Sequence, residues 1–112
     1  MKYLAIARPR VHPAPPEEDR VKFLEECRDY IAEYKEKGKI IDVFWTYGND
    51  FVTNYWFLEC DSHEDMWRVL SKWPGGNRDG GFEFEVCPLV SSEAFFEQGV
   101  GGAKKRVEEG ST

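Results

Sequence analysis

Three residues of this 112-residue chain combine a proton-transferring side chain with a setting that favours its use. Asp42 is a lone carboxylate in KIIDVFW, among bulky apolar neighbours. A carboxylate, histidine or phenol in an apolar cavity is what proton abstraction at carbon requires. Glu59 closes a second apolar run, NYWFLE, and His63 opens the segment HEDMWRVLSK. With His12, in a proline-rich stretch, His63 completes the histidine content of the chain. Each has a bland alternative as well, since a strand carboxylate can hydrogen-bond across a pair and most surface histidines do no chemistry. His63, Glu64 and Asp65 are consecutive, so they do not share a helix face, and no metal site is expected from them.

Aromatic residues make up 15% of the chain, a surplus for the interior of a small domain. Trp45, Tyr47, Tyr55, Trp56 and Trp67 could wall a planar, hydrophobic organic ligand, and Arg78 could meet an acidic group at the pocket mouth. A packed core of rings would leave the same stripe. The formal charge is -6, and residues 40–67 contain no Lys or Arg. A base-stacking nucleic-acid sheet needs cations beside its aromatics, so no nucleic-acid partner is expected. The three cysteines, Cys27, Cys60 and Cys87, form no CxxC and read as reduced thiols, which suggests a cytoplasmic protein. The first ten residues are charged too early for a signal peptide, and no apolar run is long enough to span a membrane.

The elements that must position these groups follow from periodicity. KYLAIA reads as a strand, ended by a passage with four prolines. Acidic residues after Pro16 open a helix with Phe23, Leu24, Cys27, Tyr30, Ile31 and Tyr34 on one face, and Gly38 stops it. Two β-branched and aromatic runs flank Gly48-Asn49-Asp50 and predict a hairpin. In the first of them Ile41, Val43, Trp45 and Tyr47 alternate against Ile40, Asp42 and Phe44. Ser62 caps a second helix with a Met66, Val69, Leu70 and Trp73 stripe, and GFEFEVCPLV alternates as a last strand. The order βαββαβ predicts an α+β, ferredoxin-like, four-stranded antiparallel sheet with two helices on one face. Residues 1–98 form that single domain. Residues 99–112 read as a flexible tail, after a short helix capped by Ser91 or Ser92.

The element order, the LSKWP exit from the second helix and the strand FEFEVCPLVSS resemble the dimeric α/β-barrel superfamily, in its muconolactone isomerase-like branch. The resemblance covers roughly residues 2–92. It implies a cytoplasmic homodimer, with higher oligomers in the isomerases, built by packing two sheets into a barrel. It further implies a pocket between sheet and helices for a small organic acid or lactone, and isomerisation without metal or organic cofactor. Related barrels include cofactor-independent monooxygenases and haem-dependent enzymes. A non-catalytic ligand-sensing or assembly module is the alternative from another class. The isomerases pass almost directly into the last strand, where this chain inserts GGNRDGG, and they carry a His-Pro pair where this chain has Val90-Ser91-Ser92.

The insertion itself, PGGNRDGG, follows a helix and precedes a strand. Phosphate-binding loops need the reverse order, so that helix N–H groups face the anion. Its glycines are expected to serve turns at positive φ.

Overall fold

The computed structural model describes residues 1–9, 17–46, 53–77 and 82–110. His12, the Gly48-Asn49-Asp50 turn, Tyr47 and Arg78 lie outside the described residues. The elements are β1 (Lys2–Pro9), α1 (Glu17–Glu36), β2 (Ile40–Trp45), β3 (Asn54–Glu59), α2 (His63–Lys72), a 3₁₀ turn at Pro74–Asn77, β4 (Phe82–Leu89) and α3 (Ser92–Gly110). The sheet order is β2-β3-β1-β4 with every pair antiparallel, which is the ferredoxin-like arrangement.

One face of the sheet makes the core. Tyr3, Ala5 and Ala7 of β1 and Trp56 and Leu58 of β3 are buried against Cys27 of α1 and Met66, Val69 and Leu70 of α2. Alanines at two successive inward positions of the central strand let the helices approach. Burying each large side chain of the α2 stripe is worth roughly 1.5–3 kcal/mol. Ser62 caps α2, its Oγ accepting the Asp65 N–H at 3.1 Å. Tyr30 ties α1 to α2 by donating to the Val69 carbonyl at 2.6 Å, and burial raises its phenol well above the ordinary range. Helix α1 stops in a Schellman motif, with Gly38 at φ 77° and bonds from Gly38 N to Lys35 O and from Lys39 N to Tyr34 O, both 3.0 Å.

Two expectations are corrected. Strands β2 and β4 each pair with a single neighbour, so the sheet stays open and is not closed into a barrel. The assignment to a dimeric α/β-barrel falls with that finding, although the ferredoxin-like topology stands. Three α-helices are present among the described residues, not two, because Ser92–Gly110 is a 19-residue helix. Its start is fixed by Ser91, whose Oγ accepts the Ala94 N–H at 3.0 Å. The interior Gly99, Gly101 and Gly102 each cost roughly 1 kcal/mol relative to alanine, which is why the segment reads as a fraying tail. No residue of α3 is buried.

A smaller correction concerns β2. The register shifts between Ile40 and Asp42, so Ile40 pairs with Leu58 and Val43 with Trp56. The irregularity places Ile40 on the same, helix-covered side as Val43 and Trp45, against strict alternation. On the opposite face Phe44 meets the edge of Phe57 at 6.0 Å and stays 54% exposed.

Candidate functional site

A cleft of ≈ 320 Å³ opens between α1 and the end of β2, on the helix-covered side of the sheet. Leu24, Cys27, Arg28 and Ile31 line it from α1, and Trp45 from β2. The four α1 residues fall at i, i+3, i+4 and i+7, one stripe of the helix. Trp45 is held from behind, its ring 6.5 Å from Trp73, which in turn packs on Trp56 at 4.9 Å and Phe82 at 5.3 Å. Trp73 is buried, and its Nε1–H has no hydrogen-bond partner among the described residues. The lining is almost wholly apolar, and Arg28 is its one cationic residue. Arg28 contacts the Asp29 carboxylate at 3.0 Å, in a pair that is 69% exposed on both sides. Such a pair is worth little in water, so a ligand anion competes with Asp29 at small cost.

The sequence candidates do not converge on this cleft. Trp45 lines it. Asp42 instead pairs with Lys35 at 3.0 Å and accepts the Val43 N–H at 2.8 Å. The Lys35 hydrogen bond, helped by that N–H, holds the Asp42 carboxyl below its ordinary 3.8. Trp56 is fully buried, its indole N–H donating to Asn54 Oδ1. Tyr55 sits on the other face of β3, opposite Phe44 and Ile6. Trp67 is exposed on α2, edge-on to Phe84 at 6.2 Å. Tyr47 and Arg78 lie outside the described residues.

His63 and Glu59 mark the opposite end of the sheet, where Lys2 pairs with Glu59 and with Leu89. There the His63 Nδ1 lies 2.6 Å from the hydroxyl of the buried Tyr3. Burial, followed by the nearby Cys60, pushes the Tyr3 phenol up. Lys39 Nζ and Asp65 Oδ2 lie 2.5 Å apart beside this pair, with side chains 29% and 15% exposed. The Lys39 hydrogen bond holds Asp65 below 3.8, and the Asp65 hydrogen bond holds Lys39 above 10.5. Asp65 therefore contributes stability that is full above its unfolded value and is lost as pH falls through its folded value. Lys39 contributes below its unfolded value and loses this as pH rises through its folded one. In Lys39→Met, the fall in urea midpoint between about pH 4 and pH 2 should be shallower than in the wild type. Parallel slopes would show that the pair adds nothing.

Sequence reasoning missed Arg28 and Tyr3. Arg28 lies four residues after Leu24 and three before Ile31, a cation inside an apolar stripe, and that spacing is the signal that could have found it. Among the described residues no group of three or more His, Cys, Asp or Glu is placed to hold a metal ion. Among them too, no helix is long and apolar enough to cross a membrane.

Open four-stranded sheet, two helices on one face and a cleft beneath the first helix define a ferredoxin-like protein. Within that class the chain is similar to muconolactone isomerase, at a TM-score of 0.64 and 13% identity, over 81% of this chain and 90% of that one. It is also similar to the 5-chloro-2-hydroxyhydroquinone dehydrochlorinase of Burkholderia phenoliruptrix, solved in complex with 2,5-dihydroxybenzoquinone. That match has a TM-score of 0.61 and 18% identity, over 84% of this chain and 98% of the other. At these identities the likeness establishes the fold. No protein-family model matches the sequence, and no curated protein does.

Proposed function

We propose that the chain binds a small, planar, hydrophobic organic acid in the cleft between α1 and β2. The observation that carries this reading is an apolar cleft of ligand size with one cationic residue, Arg28, in its lining. Leu24, Ile31 and Trp45 would cover the faces of the ligand and Arg28 its anionic edge. Small-ligand sites have this composition, apolar walls with few polar groups that fix orientation. The two similar structures support it, since both are named for action on small organic molecules and one was solved with a dihydroxyquinone. An isomerase acting on a lactone is the finer version. It needs a base, and the described lining offers a cation and a thiol but no carboxylate, histidine or phenol. The reading accordingly extends to binding.

Calorimetric titration with 2,5-dihydroxybenzoquinone, an acidic planar ring, and with muconolactone, a carboxylate, tests it. Saturable binding is expected for at least one probe, weakened about tenfold or more in Arg28→Ala, as loss of one charge-assisted contact implies. Trp45→Ala should weaken it comparably by removing one wall. Absence of binding to both probes, or affinity unchanged in both variants, would count against the cleft.

A further inference from the structure

We infer that α3 is a self-association element, pairing antiparallel with α3 of a second copy of this chain. The helix has 19 residues, none of them buried, and three interior glycines. Helices of such composition depend on a packed face for their stability. Among the described residues its own chain buries no part of it.

The exposed surface of α3 has the pattern of a helix seam. Phe96, Val100, Ala103 and Val107 are spaced by four, three and four residues, and the three larger ones are 62%, 51% and 70% exposed. Val100, Ala103, Lys104, Val107 and Glu108 enclose a surface groove of ≈ 410 Å³ on this helix alone. Residues i, i+3, i+4 and i+7 are the four that form a hole for a knob from a facing helix. A Cβ on Gly99, beside the seam, would meet nothing within 4 Å, so a neighbouring backbone has room to approach.

Charge selects both the occupant and its direction. Glu93 and Glu97 lie in the first half of the helix, and the second half carries Lys104, Lys105 and Arg106 followed by Glu108 and Glu109. A parallel pair would bring the two basic clusters to one level, which is repulsive. An antiparallel pair sets Glu97 beside Lys104 of the second copy, twice by symmetry. The same register sets Phe96 against Val107 and Val100 against Ala103, large facing smaller in each layer. A surface complementary to itself when reversed fits a second copy of the chain.

Sedimentation velocity over a range of concentrations reads the outcome. The wild type should associate to a dimer, and Val100→Glu should weaken association at least tenfold while the near-UV signal of the tryptophan cluster is kept. Glu97→Lys alone and Lys104→Glu alone should each weaken it, and their equimolar mixture should restore a heterodimer. A monomeric wild type, including one in which α3 folds back on its own sheet, would overturn the inference. So would a dimer insensitive to Val100→Glu, or single charge variants that associate as the wild type does. If Val100→Glu fails to fold, the charge variants and their mixture still decide.

Discussion

Trp56→Ala should lower the free energy of unfolding by about 3–5 kcal/mol, the range for deleting a buried large aromatic side chain. Trp56 has no solvent exposure and sits on β3, between central β1 and edge strand β2. It meets Trp73 edge-on at 4.9 Å, and its indole N–H donates to the equally buried Asn54. The alanine variant therefore leaves a cavity and removes that hydrogen bond together. Trp56→Phe separates the two, since it keeps most of the ring volume and should cost about 1–3 kcal/mol, chiefly through the lost N–H. Urea unfolding followed by far-UV circular dichroism gives both numbers. A cost below about 1 kcal/mol for the alanine variant would mean that Trp56 is not central to the core.

Gly75→Ala should cost about 1–3 kcal/mol, as expected for forcing atoms into a packed interior. A Cβ at this position would lie 2.4–2.7 Å from three carbons of the Trp73 ring. Trp73 cannot swing away freely, because Trp45, Trp56 and Phe82 contact its ring. The φ of Gly75 is not in the left-handed region, so alanine carries no backbone penalty and the whole cost is steric. The variant should also alter the near-UV circular dichroism of the aromatic group. Since Trp73 backs Trp45, it should weaken the proposed ligand binding too. An unchanged spectrum and stability would show that the ring has more room than its neighbours suggest.

Element order was readable from the sequence because each element carries its own period and its own stop. Ser62 and Gly38 cap as their chemistry dictates, and the stripe Met66, Val69 and Leu70 faces inward as spacing requires. What the sequence concealed depends on geometry between elements. The irregularity at Ile40–Asp42 has no local signature, yet it changes which β2 residues face the helices. Barrel closure was expected from the family resemblance, whose element order and strand pattern an open sheet with an exposed Phe44 carries equally well. The insertion glycines read as turn formers, whereas Gly75 is required by the approach of an aromatic ring. The start of α3 at Ser91–Ser92 was legible, but its full length was hidden by glycines that lower local propensity without abolishing the helix.

The candidate site was less legible than the fold. Trp45 was chosen for its ring, and it does line the cleft. Arg28 was overlooked because a cation on a surface helix is ordinary until a groove forms beside it. Asp42, the carboxylate singled out for its apolar flanks, is neutralised by Lys35 from α1, a partner that only the tertiary fold brings near.

The place of β1 between β3 and β4 has a kinetic consequence. Ala7 pairs with Asn54 and Lys2 with Leu89, so both neighbours of the central strand come from much later in the chain. Little of the sheet can be assembled stepwise from adjacent segments, apart from the β2–β3 hairpin. Loop closure over long separations must precede most of the favourable pairing, which places such a topology among the slower mixed folds rather than the microsecond helical ones. Until β4 arrives, one flank of β1 offers open backbone donors and acceptors to other chains. Refolding yield should therefore fall with protein concentration more steeply than native stability alone would suggest.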